Sequence, residues 1–153
     1  MKLKVSDDAE CPVDLVYAGI TDFARIESEL RDHGVHINRI GKWDRPEIGA
    51  AWAGRGEIRS KMRRIDAKIT AMEPGRMFEV EAKIGGLRVA HETRLVPLGE
   101  RVTRINITTD LRPDTLSARL LLQSLKLARG RVLDRMQRRL ASDIRRIERA
   151  EAG

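Results

Sequence analysis

One stretch dictates most of what this chain can fold into: its last quarter, from Asp114 to about Ala150. Ala118, Leu121, Leu122, Leu125, Ala128, Val132, Met136, Leu140, Ile144 and Ile147 recur there at three- and four-residue steps. At about 100° per residue these positions fall in one band, the pattern of a single long helix with one buried face. Pro113 and Asp114 mark its start, since proline suits the opening of a helix and Asp114 can accept from free N–H groups of the first turn. Gly130 costs about 1 kcal/mol against alanine and predicts a bend. Leu116, Leu120 and Leu127 lie on the side opposite Leu125, so the first turns are apolar nearly all round and need cover on two sides. Run straight, the helix is about 54 Å long, against roughly 35–40 Å for a domain of this size, and its Arg-rich tail is expected to overhang, fray or meet a partner.

Upstream of the helix the apolar period is two rather than 3.6. Residues 2 to 10 read as a strand through Leu3, Val5 and Ala9. Pro12 opens a short helix to about Gly19, and a second runs from Asp22 to His33 with Phe23, Ile26 and Leu30 on one face and Gly34 as its stop. Val35 and Ile37, extending toward Trp43, begin a second strand, and Pro46 to Gly49 turn the chain. Trp52, Gly54, Gly56 and Ile58 share one face of the third strand; Ile65, Ala67, Ile69 and Ala71 share one face of the fourth. Glu73-Pro74-Gly75 is a hairpin turn into Phe78, Val80, Ala82 and Ile84. Gly85-Gly86 leads to Leu87, Val89, His91, Thr93 and Leu95, and Pro97 to Glu100 leads to Val102, Ile105, Ile107 and Thr109. Short turns make these neighbours antiparallel. The order is strand, two short helices, six strands, long helix: an α+β chain, read as one domain over residues 1–153, with about seven strands curved around the closing helix as the only long amphipathic cover.

Composition removes several classes of function. The 153 residues carry 30 Lys+Arg against 23 Asp+Glu, a net charge of +7. The long helix holds ten cations from Arg119 to Arg149 against five carboxylates, and such a mixed run is usually a solvated face. Nucleic acid or an anionic membrane surface is the competing partner, but five aromatic residues leave little for base stacking. No stretch approaches the roughly 20 apolar residues of a membrane span, and the first residues lack an apolar leader, so a cytoplasmic location is expected. Cys11 is the lone cysteine, which rules out an internal disulfide. His33 and His36 are separated by the helix-stopping Gly34, so no metal site is expected, and no phosphate-binding glycine loop or nucleophile elbow occurs. No cofactor is implied.

This order of elements resembles the helix-grip fold of the START-like (SRPBCC) superfamily, which includes birch-pollen-allergen relatives and polyketide cyclase/dehydrase-like proteins. Ala9-Glu10-Cys11-Pro12-Val13-Asp14-Leu15-Val16-Tyr17 resembles its first strand running into a helix with an early proline and an aromatic. Asp22-Phe23 is similar to its second-helix start, and Glu73-Pro74-Gly75-Arg76 and Gly99-Glu100-Arg101-Val102 to two of its hairpins. Cys11 departs from the alanine common before that proline. The resemblance implies a deep, mostly apolar cavity between sheet and helix for a lipid, sterol, quinone or polyketide. It implies no reaction, because the superfamily shares no catalytic set.

Read from the residues, such a cavity is lined by the concave sheet face and the helix stripe: Trp52, Ile58, Ile69, Phe78, Val80, Ala82, Val89, His91, Thr93, Ile105, Ile107, Leu121, Leu122 and Leu125. A filled core needs the same alternation, so each is also a plain core candidate. Gly54 and Gly56 remove volume inside a strand, which means a bend or a space left for something else. His91, between Val89 and Thr93 on one face, is either a satisfied core histidine or a donor or acid/base toward a ligand. Three function classes remain: binding or transport of a hydrophobic small molecule, a cyclase/dehydratase-type enzyme using the same cavity, and an interaction module on the basic helix. Leu116, Leu120 and Leu127 are expected to pack on the chain's own early helices, to form a homodimer seam or to touch a membrane.

Overall fold

A computed structural model describes residues Met1–Gly153. The chain forms β1 (Lys2–Ala9), α1 (Val13–Ile20), α2 (Phe23–Asp32), β2 (Val35–Ile40), β3 (Ala51–Ile58), β4 (Lys61–Glu73), β5 (Met77–Ile84), β6 (Leu87–Gly99), β7 (Val102–Pro113), α3 (Leu116–Leu127) and α4 (Arg129–Ala152). All seven strands join one antiparallel sheet in the order β1-β7-β6-β5-β4-β3-β2. β1 and β2 therefore lie on opposite edges, and α1 and α2 carry the chain from one edge to the other. This is the α+β helix-grip architecture expected from the sequence.

Cross-strand rows show which side chains share the inner face. Trp52, Ala67, Ala82, Val89 and Leu111 form one row; Ile69, Val80, His91, Thr109 and Leu3 form the next; Phe78, Thr93, Ile107 and Val5 a third. The apolar interior divides into three clusters rather than one. The first joins β1, α1 and the far end of α4 through Val5, Val16, Ile105, Leu140, Ile144 and Ile147. The second lies under α2 and includes Phe23, Ile37, Trp52, Ile65, Ile69 and Phe78. The third joins α3 to β1, β6 and β7 through Leu3, Leu87, Leu111, Ala118 and Leu122.

Several sequence expectations need correction. The closing helix is broken at Ala128 (φ −101°, ψ 19°), two residues before the expected Gly130, dividing it into α3 and α4. Its cap is Thr115, whose side chain accepts from the Ala118 N–H, while Asp114 pairs with Arg88. The Arg-rich tail does not overhang: Ile144 and Ile147 are buried, Glu148 accepts from the Glu10 N–H, and Arg101 pairs with Glu151. In β4 a bulge between Ile69 and Ala71 sets Ala71 opposite the outward Glu79, so Met72 rather than Ala71 meets Phe78. Gly54 leaves no space for a ligand; a Cβ there would come within 1.9 Å of the His36 carbonyl oxygen. The glycine lets β2 press against β3.

Candidate functional site

A cavity of about 370 Å³ opens between the inner face of the sheet, α2 and α4. Its floor is Trp52, Ala67, Phe78, Val80, His91, Thr93, Ile105 and Ile107; α2 contributes Phe23, Ile26 and Leu30, and α4 contributes Met136 and Leu140. Arg25, Arg139 and Asp143 form a polar rim. A pocket that is mostly apolar with a few convergent polar groups is the usual form of a small-molecule site.

Of the side chains selected from sequence, Trp52, Phe78, Val80, His91, Thr93, Ile105 and Ile107 line this space. The structure places the others elsewhere. Ile69 is fully buried in the second cluster and Ile58 packs at that cluster's margin. Leu122 is buried in the third cluster, with Leu121 and Leu125 against it, because α3 closes onto β7 instead of spanning the sheet. Ala82 and Val89 stay in the inner row with Trp52 and Ala67, and together these four border a larger depression of about 710 Å³ that also takes in Asp66, Lys68, Glu81 and Lys83. Asp66 there stands opposite Lys83, and Lys68 opposite Glu81. That depression mixes charged with apolar side chains, whereas the inner cavity is lined mostly by apolar ones, so the inner cavity is the better candidate.

One wall is built around a carboxylate that the sequence reading passed over. Glu27 is only 8% exposed. It accepts from Arg39 through Nε (2.8 Å) and Nη2 (2.9 Å), and from Trp52 Nε1 at 2.7 Å. The Arg39 guanidinium holds the Glu27 carboxyl below its ordinary range against the opposing effect of burial, so it stays charged. Arg39 also stacks 4.3 Å over Trp43, which meets Trp52 edge-on at 4.8 Å. Phe23 lies 5.3 Å from Trp52 and 5.8 Å from Phe78, completing an aromatic wall. A signal was available: Glu27 is four residues beyond Phe23 and falls within the apolar stripe of α2, where a lone carboxylate needs a buried partner.

At the rim, α2 and α4 are joined by charge. Glu29 receives Arg25 and Arg139, and Arg139 Nε reaches Asp143 at 3.2 Å. Burial would raise the Glu29 carboxyl, but Arg139 and Arg25 outweigh it and hold it low. Arg25 Nε is buried without a partner, beside the cavity; the Tyr17 hydroxyl is buried without one between the first two clusters. On the floor, His91 Nδ1 is 2.9 Å from Thr109 Oγ1, and Nε2 has no protein partner. Burial pushes the His91 pKa down, so the neutral imidazole prevails near pH ~7.

The fold is a helix grip, with the cavity between its sheet and its helices. No family model matches the sequence, and no curated protein matches it. Among solved structures, a protein from Thermus thermophilus is 14% identical with a TM-score of 0.70, covering 98% of this chain and 99% of its own. The Zhui aromatase/cyclase from Streptomyces sp. R1128 is 13% identical with a TM-score of 0.68, covering 97% and 94%. A START superfamily protein from Mycobacterium smegmatis is 11% identical with a TM-score of 0.56, covering 90% and 97%. At such identities the shared property is the fold.

Proposed function

We propose that this chain is a single-domain cytoplasmic protein that binds or carries a hydrophobic small molecule bearing an oxygen acceptor, held between the sheet, α2 and α4. The observation that carries the reading is the cavity of about 370 Å³, lined by apolar and aromatic side chains and rimmed by Arg25, Arg139 and Asp143. The unpartnered Arg25 Nε supports the oxygen: a buried N–H donor without an acceptor is costly, and a carbonyl or carboxylate on the ligand would satisfy it. Native mass spectrometry of freshly purified protein tests the reading, together with thermal shifts on adding fatty acids, quinones or aromatic polyketides. A bound species or a ligand-dependent rise in Tm is expected. Absence of both overturns the reading.

A catalytic reading of the same cavity has one observation in its favour. His91 is neutral, with Nδ1 in hydrogen-bond reach of Thr109 and Nε2 without a protein partner at the floor; in the tautomer whose Nδ1–H donates to Thr109 Oγ1, Nε2 offers the lone pair of a general base. The likeness to the Zhui aromatase/cyclase suggests cyclase/dehydratase-type chemistry on a polyketide-like substrate. His91→Ala would then abolish turnover while sparing ligand retention; equal effects on both, or on neither, exclude that role.

A further inference from the structure

One end of the grip, where α3 meets the turn between β3 and β4, combines exposed apolar side chains with unpaired cations. α3 turns Ala118 and Leu122 inward and leaves Leu116, Leu120 and Leu127 outward at 72%, 59% and 92% exposure. The neighbouring turn presents Met62 at 61%, and Arg59 Nη1 reaches Ser124 Oγ of α3 at 3.4 Å, so the two segments form one surface. Residues 59–64 hold four cations and no carboxylate, and no carboxylate occurs between Asp114 and Asp134. Arg64 pairs with Asp66. Arg59, Lys61, Arg63, Arg119, Lys126 and Arg129 form no salt bridge. What sets this end apart is that its cations surround exposed apolar side chains.

Unneutralised cations around bare leucines fit one kind of partner better than others. A second copy docking face to face would set these cations against their equals. RNA would use the charge but has no use for four bare apolar side chains, and none of the five aromatics lies in either segment to stack on a base. An anionic bilayer uses both, taking leucines into its headgroup–acyl boundary while its phosphates meet the cations. We propose that this end of the protein docks on an anionic lipid surface through Leu116, Leu120, Leu127 and Met62. The surface is separate from the cavity, and docking is independent of what the cavity holds.

Cosedimentation of the full chain with phosphatidylglycerol-containing or pure phosphatidylcholine vesicles tests this. Binding to the anionic vesicles should exceed that to the neutral ones by roughly tenfold or more, and fall as salt rises. The Leu120→Asp/Leu127→Asp variant should lose roughly tenfold in vesicle binding, as should Arg59→Glu/Lys126→Glu, each keeping the wild-type circular dichroism and melting. Because these side chains are exposed, folding is not at stake. Equal binding of wild type and the aspartate variant overturns the proposal. So does equal binding to both vesicle types, a dimer in sedimentation equilibrium that the aspartates dissolve, or capture of an oligonucleotide in preference to anionic vesicles.

Discussion

Ala67→Leu distinguishes a hollow interior from a filled one by the sign of a stability change. Ala67 lies on the cavity floor between Trp52 and Ala82 in one cross-strand row. The substitution adds three carbons; at ~0.8 kcal/mol for each buried CH₂ the full gain would be about 2.4 kcal/mol. The rim is open, so about half of that is realised, and ordering a leucine side chain costs roughly 0.5–1 kcal/mol. The net change is roughly 0 to +1 kcal/mol, a rise of up to about 4 °C in Tm for a chain of this length. In a close-packed core the same change would overpack and cost ~1–3 kcal/mol. Urea and thermal unfolding separate the outcomes, and the ligand-dependent Tm shift should shrink in the variant because the new side chain occupies the site. A loss greater than about 1 kcal/mol refutes the hollow interior.

Removing the buried carboxylate with Glu27→Ala should destabilise by roughly 3 kcal/mol, below the upper range for a buried ion pair because Arg39 retains some contact with water, and urea midpoints will show it. Because Glu27 titrates below its unfolded value, the stability it confers is complete above the unfolded carboxylate pKa and disappears as pH falls through the folded one; Glu27→Gln should flatten that acid limb. His91 has the same sign for a different cause: burial disfavours its charged form, so stability should decline as pH drops below the unfolded imidazole value of about 6.5, and His91→Asn should remove that part of the slope. Gly54→Ala drives a Cβ into the His36 carbonyl and should cost about 3 kcal/mol, with amides of Val35–Ile40 exchanging faster than those of β6; unchanged exchange there would contradict the close approach of β2 and β3.

Strand periodicity, the glycine turns and the long helical stripe were legible in the sequence because each is local. Gly75 and Gly85 sit at φ +76° and +60°, values that suit glycine, and the sequence placed turns at both. What was illegible depends on contacts between distant segments. Ala128 is an excellent helix former, so nothing local announces the break there; it follows from α3 packing on β7 while α4 packs on β1. That same division moved the cavity away from Leu121, Leu122 and Leu125 toward Met136 and Leu140. The bulge at β4 turns a face without interrupting the apolar alternation, and although Glu27's place in the apolar stripe of α2 signals a buried carboxylate, its partners Arg39 and Trp52 come from β2 and β3 and are not local to it.

A dry void of about 370 Å³, at ~24 cal/mol per Å³, would cost on the order of 9 kcal/mol, comparable with the whole stability of an ordinary domain. A chain that holds such a space must both resist its collapse and fill it. Resistance comes from ties of fixed length. Glu27 holds α2 on the β2–β3 edge through Arg39 and Trp52, and Phe23 props the helix against Trp52 and Phe78. The seam between α2 and α4 at the rim is the Arg25–Glu29–Arg139–Asp143 network, whose ions favour staying where water reaches them over sinking onto the floor. Filling falls to water by default, through the same rim. Water gains little from a floor of Val80, Ile105 and Ile107, so an apolar molecule that displaces it recovers the hydrophobic stabilisation this sequence leaves unclaimed. The polar seam and the small Ala67 therefore serve one end, an interior completed by something other than the chain itself.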